Sequence, residues 1–201
     1  YWRNNDFSKA NTLERPEDVA LNQMYFADYA EIKRIIEFVK NNISLNSEDI
    51  VVDIGANDCT MIQWFPEHCN RIGVEPAQNI DWKDVKNVNI VNDYFSKSAI
   101  QKHLGNKKVK SFTACAMFYD LDDPNSFVSD VKECLDKDGI FTIQLSYLPG
   151  MLKNMNFYDI CNEHLEYYSL ETLNYLMNRH DLEIYDAIEN DVNGGSVLVA
   201  I

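Results

Sequence analysis

The sequence predicts an α/β fold: one open, seven-stranded, mostly parallel sheet with its last strand antiparallel and helices on both faces. Three observations predict it. Short apolar runs alternate with segments of helical periodicity along most of the chain, the pattern of β-α-β units. Ile50-Val-Val-Asp-Ile-Gly55 is an apolar run broken by a glycine, the strand-then-turn that opens a ligand crevice in such sheets. Near the end, Asn193-Gly-Gly195 joins two apolar runs at a tight turn, which reverses the direction of the final strand.

The elements follow in order. Residues 1–20 are polar and irregular and read as an arm or lead-in helix. Leu21, Met24, Tyr25, Tyr29, Ile32, Ile35, Ile36 and Val39 recur at steps of three and four, an amphipathic helix over 21–39. Residues 1–45 are thus an N-terminal arm and lead-in helix, and 46–201 the ligand-binding domain. The first strand is 50–54, followed by a helix from Asp58 to about Cys69. Strands follow at 71–76, stopped by Pro76, and at 88–91. Ser96 caps a helix through Leu104, and 109–117 is the fourth strand. Pro124, early in its helix, starts a run to Leu135. Asp138-Gly139 is a turn into a fifth strand, 140–145. Residues 146–165 are looser. Ser169 caps a helix over 170–179, the sixth strand is 182–188 and the seventh 196–201.

Composition excludes some functions. The formal net charge is −14, from 18 basic and 32 acidic residues. That is opposed to a nucleic-acid backbone, whose binding depends on Lys and Arg at phosphates. No apolar run approaches the ~20 residues that span a bilayer. The five cysteines form no CxxC pair and read as reduced thiols of a cytoplasmic protein. No His, Cys and carboxylate set has metal-ligand spacing. The chain opens on Tyr1 and ends inside an apolar run, as a piece of a longer protein would.

The turn after the first strand carries the ligand argument. A dinucleotide fingerprint needs three glycines so that backbone can approach a pyrophosphate. Here Gly55 stands alone, and Asp58 sets a negative charge where phosphate would lie. A cationic ligand without phosphates suits the turn better. S-adenosylmethionine has a sulfonium and an amino group, which Asp53 and Asp58 can face, and Asn57 tolerates the left-handed backbone of such turns. Glu75, 20 positions after Gly55 and followed by Pro76, is placed to accept both hydrogen bonds of an adenosine ribose. Asp93, Tyr94 and Phe95 follow the third strand: a carboxylate for the adenine amino group and aromatics for its face. Ala116, Met117 and Phe118 leave the fourth strand at the topological switch point, where open sheets bind ligands. Farther on, Glu163-His164 lies among tyrosines, a candidate proton-transfer pair.

Together these stretches resemble the class I S-adenosylmethionine-dependent methyltransferases of Rossmann-like fold, and more narrowly the sugar C-methyltransferases. Residues 51–60 are similar to that family's D-I-G-S-N-D-G-T. Residues 117–124 and the later Ser-Tyr-Leu-Pro are a second match. Residues 158–168 resemble Y-D-x-x-x-H-E-H-L-x-Y-Y, and Asn193-Gly-Gly-Ser196 follows. The resemblance implies a methyltransferase with S-adenosyl-L-methionine as cofactor and a small acceptor, a sugar or nucleotide-sugar. It implies that Glu163 and His164 are the catalytic pair, His164 removing a proton from a carbon next to a ketone. It implies that Tyr25, Tyr29, Tyr119, Tyr147 and Asn193 line the acceptor site. The chain departs from the family at Cys59, where a glycine is usual, and at Asn162, where a histidine is. The family's zinc-binding cysteine segment and second C-terminal domain have no counterpart in this sequence, so no zinc is implied. An O- or N-methyltransferase and a non-catalytic cofactor-binding module are the competing readings.

Overall fold

The computed structural model describes the backbone of residues 16–201 and the side chains from Tyr29 onward, Tyr158 excepted. The expected arm at residues 1–15 and the side chain of Tyr25 lie outside the described residues. α1 (Pro16–Asn42) leads into β1 (Ile50–Ile54), β2 (Asn70–Val74) and β3 (Asn89–Val91). α2 (Lys97–Leu104), β4 (Val109–Cys115), α3 (Pro124–Cys134), β5 (Leu135–Ser146) and α4 (Leu148–Asn154) follow. α5 (Leu170–Asn178), β6 (Asp186–Asn190) and β7 (Ser196–Ala200) complete the chain. The seven-stranded sheet runs β3-β2-β1-β4-β5-β7-β6. β7 sits between β5 and β6 and is antiparallel to both.

Strand alternation divides the interior into two cores. Ile50, Val52 and Ile54 of β1 join Phe112, Phe141 and Val199 under α2, α3 and α5. Val51 faces the opposite way, with Ile140 and Leu198, against Ile35, Ile36 and Val39 of α1. By the same alternation Asp53 lies on the α1 face. Register aligns it with Gly73 of β2 and Thr113 of β4, and Thr113 with Thr142 of β5. The crevice end of the α1 face is therefore polar. Helix starts are capped as their sequences imply. Ser96 accepts from Ala99 N–H, Asp123 from Ser126 N–H, and Ser169 forms a reciprocal capping box with Thr172. Each such cap contributes about 1 kcal/mol.

Three expectations are corrected. No helix forms over 58–69; turns and a 3-10 segment, Ile62–Trp64, replace it. Asn57 and Cys59 are left-handed, at φ 49° and 65°, which an α-helix does not admit, and the Asp58 carboxylate takes the Thr60 N–H at 2.9 Å. The loop's carbonyls are gathered by Arg71 instead. Its guanidinium, 3% exposed, donates to Gln63 O at 3.0 Å, to Asn87 O at 3.2 Å and to Phe65 O at 3.4 Å. The turn expected at 138–139 is absorbed into β5, whose pairing with β4 jumps from Val109↔Leu135 to Ser111↔Ile140. A Cβ at Gly139 would lie 2.9 Å from Leu135 Cδ1 and 3.1 Å from Lys110 O, so this bulge closes only over glycine. The sixth strand pairs later than expected, at 186–190 rather than 182–188, because the apolar Leu182 is spent in the core beside α5.

Candidate functional site

The loop after β1 is built from backbone bonds across the β1–β2 crevice. Gly55 N–H and Ala56 N–H both donate to Val74 O, at 2.9 and 3.1 Å. Gly55 has φ 74°, and a Cβ there would meet Met117 Cγ at 3.3 Å, so the loop and the end of β4 approach each other only because the residue is glycine. Glu75, 7% exposed, holds the loop from β2. Its Oε2 accepts from Asn57 N–H and its Oε1 from Ala77 N–H, each at 2.9 Å. Trp82 Nε1 donates to Asn57 O at 2.8 Å, and Asn92 Nδ2 to Glu75 O at 2.7 Å. Each carboxylate oxygen of Glu75 retains a lone pair for a ligand hydroxyl.

Asp53 and Asp58 differ, against the expectation that both present charge to a ligand. Asp53 is 3% exposed and accepts from Thr113 Oγ1 at 2.7 Å. Burial pushes its carboxyl up to about 7; Thr113 opposes the shift, and Glu75 and Asp58 add to it. Asp58 is exposed. Cys59 is explained by its strand neighbour. Its φ of 65° is the reason a glycine is favoured there, and its Sγ occupies the space left by Gly73, 2.8 Å from where a Cβ would stand. Burial, with Asp53, Asp58 and Glu75 nearby, pushes the thiol up to about 12. It is packing rather than a nucleophile.

The two aromatics expected at the adenine face part ways, and Phe118 belongs to the core. Phe95 turns into the core, 4.9 Å from the Phe127 ring and 5.7 Å from Phe112. Phe118 is fully buried against Phe127, Phe141 and Tyr168. The Phe118 ring is closed off from the crevice, while Phe95 is partly buried against the core. Tyr94, 77% exposed beside Asp93, is the aromatic that β3 presents. Ala116, at φ 53°, turns the chain out of β4.

The second half of the site grows from the next strands. Tyr119 follows β4, and its carbonyl accepts Leu165 N–H and Glu166 N–H at 2.9 and 3.1 Å. This draws 157–168 onto the end of β4. The His164 ring lies 4.1 Å from the Tyr119 ring and 6.4 Å from Tyr167, with Nδ1 buried and without a partner among the described residues. Its neighbour Glu163 is exposed, so adjacency in sequence does not put the two in one environment. Tyr147 N–H donates to Gly195 O at 3.0 Å, which sets Tyr147 beside the 193–195 turn, and Leu148 N–H bonds Tyr168 O. Tyr29 is on α1 with its ring 5.8 Å from Trp64, over the loop after β1.

Asp159 was not singled out from sequence, although it stands in the Tyr158-Asp159 start of the third motif. It is 7% exposed with Oδ2 unpartnered among the described residues. Burial raises its carboxyl above the usual range, while His164 and the Ser146 hydroxyl pull it back. Among the described residues no His, Cys and carboxylate group can hold a metal ion, and no helix is long and apolar enough to cross a membrane.

Residues 25–187 match the model of a methyltransferase-domain family. Over 173 residues the chain is 28% identical to C-methyltransferase NovU from Streptomyces niveus, covering 84% of this chain and 41% of the relative. It thus spans less than half of that relative's length. A methyltransferase fold from Bacillus halodurans superposes with a TM-score of 0.67 at 11% identity, covering 85% of this chain and 97% of that one. A Burkholderia thailandensis N1-methyltransferase, solved with S-adenosylhomocysteine, gives 0.65 at 12% identity over 94% of this chain and 90% of its own. The fold is therefore that of the Rossmann-like methyltransferases. The chain belongs to the methyltransferase-domain family, and its cofactor is S-adenosylmethionine. The crevice fits that cofactor: Glu75 is fixed there with a lone pair left on each carboxylate oxygen for ribose hydroxyls, and the exposed Asp58 carboxylate opposes a pyrophosphate.

Proposed function

We propose that this domain methylates a carbon of a small keto-sugar acceptor, free or carried on a nucleotide. The observation that carries the reading is His164, packed on Tyr119 at the end of the strand beside β1. A base in that position borders the cofactor crevice. Carbon is not nucleophilic until deprotonated, so this reaction needs a base where a transfer to oxygen needs mainly positioning. The cofactor supplies the electrophilic methyl group. Glu75 holds its ribose, Asp93 and Tyr94 its adenine, and the Gly55–Asp58 turn, Pro76 and the backbone of Ala116, Met117 and Phe118 enclose the rest. His164 takes the proton from the carbon next to the ketone, leaving an enolate. Tyr29, Tyr119, Tyr147 and Asn193 surround the acceptor.

Mass spectrometry of nucleotide-linked keto-sugars incubated with isotopically labelled cofactor tests the reaction. A mass gain located on carbon is expected, and a label on oxygen or nitrogen overturns the carbon assignment. A second assay isolates the base. With S-adenosylhomocysteine bound and the protein in deuterated water, the acceptor C–H exchanges in wild type and not in His164→Gln. Full turnover by His164→Gln places the chemistry with O- or N-methylation.

A further inference from the structure

Outside the groups assigned above, Gln144 and Glu31 each bury a side-chain oxygen that has no hydrogen-bond partner among the described residues. Gln144, 7% exposed, stands near the end of β5 on the α1 face, and its Oε1 has no partner among the described residues. Glu31 descends on it from α1. Arg34 Nη1 donates to Glu31 Oε2 at 2.7 Å, whereas Glu31 Oε1 is buried with no partner among the described residues. Burial raises the Glu31 carboxyl above its ordinary range; Arg34 and the Gln144 amide counter that, and Asp191 reinforces it.

Position gives the pair its meaning. Gln144 is the strand partner of Cys115, and its carbonyl accepts from Ala116 N–H at 2.9 Å. The next residue, Met117, packs on Gly55 of the cofactor turn. Two residues after Gln144, Ser146 supports Asp159, and Tyr147 bonds Gly195 of the turn that holds Asn193. Gln144 is thus tied by backbone bonds to the end of β4 behind the cofactor turn and, two residues on, its strand supports the segment that carries His164. Both open atoms are acceptors, one on a carboxylate. A ligand group that satisfies them must donate, and a phosphate or carboxylate there would be repelled.

We propose that Glu31 and Gln144 form a subsite that binds hydroxyl groups of the acceptor. Hydroxyls donate to Glu31 Oε1 and Gln144 Oε1, and a ring carrying adjacent hydroxyls satisfies both. Any phosphates of the acceptor then lie away from this end of the crevice. The inference rests on the sugar-acceptor reading above and adds which polar groups of the sugar the protein selects.

The test is calorimetry on protein saturated with S-adenosylhomocysteine. The two probes are a nucleoside-diphosphate keto-sugar with adjacent ring hydroxyls and its counterpart lacking them. Wild type should prefer the hydroxylated probe by about tenfold or more, since buried acceptors are otherwise left unpaired. Glu31→Gln and Gln144→Met should remove that preference and leave S-adenosylhomocysteine affinity within about twofold. Should Gln144→Met fail to fold, Glu31→Gln carries the test. Unchanged preference in Glu31→Gln overturns the subsite, as does a large loss of its S-adenosylhomocysteine affinity. If wild type binds both probes equally, the subsite alone falls. If it binds neither, the sugar-acceptor reading falls and the subsite with it.

Discussion

The two ends of the crevice are finished to different degrees. At the cofactor end, the Glu75 carboxylate, the Asn57 carbonyl and amide, the Asp53 carboxylate and the Gly55 amide all have protein partners within 3.0 Å. At the acceptor end, Glu31, Gln144, Asp159 and His164 each bury an atom that has no partner among the described residues. The contrast teaches where this fold invests its order. The strand ends and their backbone bonds build the cofactor turn from protein partners alone. At the other end Glu31 comes from α1, Gln144 from β5, and Asp159 and His164 from the segment between α4 and α5, and on the proposed reading their unpartnered atoms take donors from the acceptor. Buried groups left unpaired cost about 1–3 kcal/mol each, a cost that, on the proposed reading, the acceptor's hydroxyls offset.

Four perturbations break or sharpen that contrast. The largest effect is expected from His164→Gln, which should lower turnover by about 10²–10⁴ while calorimetry shows S-adenosylhomocysteine affinity nearly unchanged. A matching loss of cofactor affinity would mean that the two ends are not separable. Next is Glu75→Ala. It removes ligand hydrogen bonds together with the two that hold the turn, and should weaken cofactor binding by more than about 1 kcal/mol, with calorimetry as the check.

Gly73→Ala comes third, for it drives a methyl group against Cys59 Sγ. Overpacking of this kind costs about 1–3 kcal/mol. Denaturant unfolding should show much of that cost relieved in Cys59→Gly/Gly73→Ala, and the absence of coupling would sink the packing account of Cys59. The smallest is a pH effect from Asp53. Its folded pKa, raised to about 7 from 3.8, means that the folded chain holds the proton longer than the unfolded one. The stability it contributes is full below about 4 and is lost as pH rises through about 7. Asp53→Asn should therefore flatten the fall in apo-protein melting temperature between pH 5 and pH 8. A gain of about 2–4 °C at pH 8 corresponds to each 1 kcal/mol recovered. An unchanged pH profile would show that Asp53 is ionised in the folded protein.

Legibility followed the same division. The β1 run, the Ser96, Asp123 and Ser169 caps and the antiparallel last strand were readable because their signals are local: an apolar run, a capping hydroxyl, a glycine turn. The helix expected over 58–69 was misread because apolar spacing near Met61, Ile62 and Phe65 suits a packed turn as well as a helix. The deciding bonds come from Arg71, on another strand. Phe95 was placed differently for a related reason. It follows a strand end, where sequence does not tell an aromatic that faces a crevice from one that folds back onto the core. Asp159 and the Glu31–Gln144 pair carried no motif at all, since burial makes an ordinary polar residue consequential and burial is a tertiary property.

By itself the sequence determined the order of strands and helices and the acidic, single-glycine character of the cofactor turn. Local backbone preferences and hydrophobic periodicity suffice for these. The tertiary structure alone decided that Cys59 fits because Gly73 opposes it, that Asp53 is sealed against Thr113, and that α1 brings Glu31 onto Gln144 more than a hundred positions away. These depend on register and on helix docking, which join residues that no local preference relates.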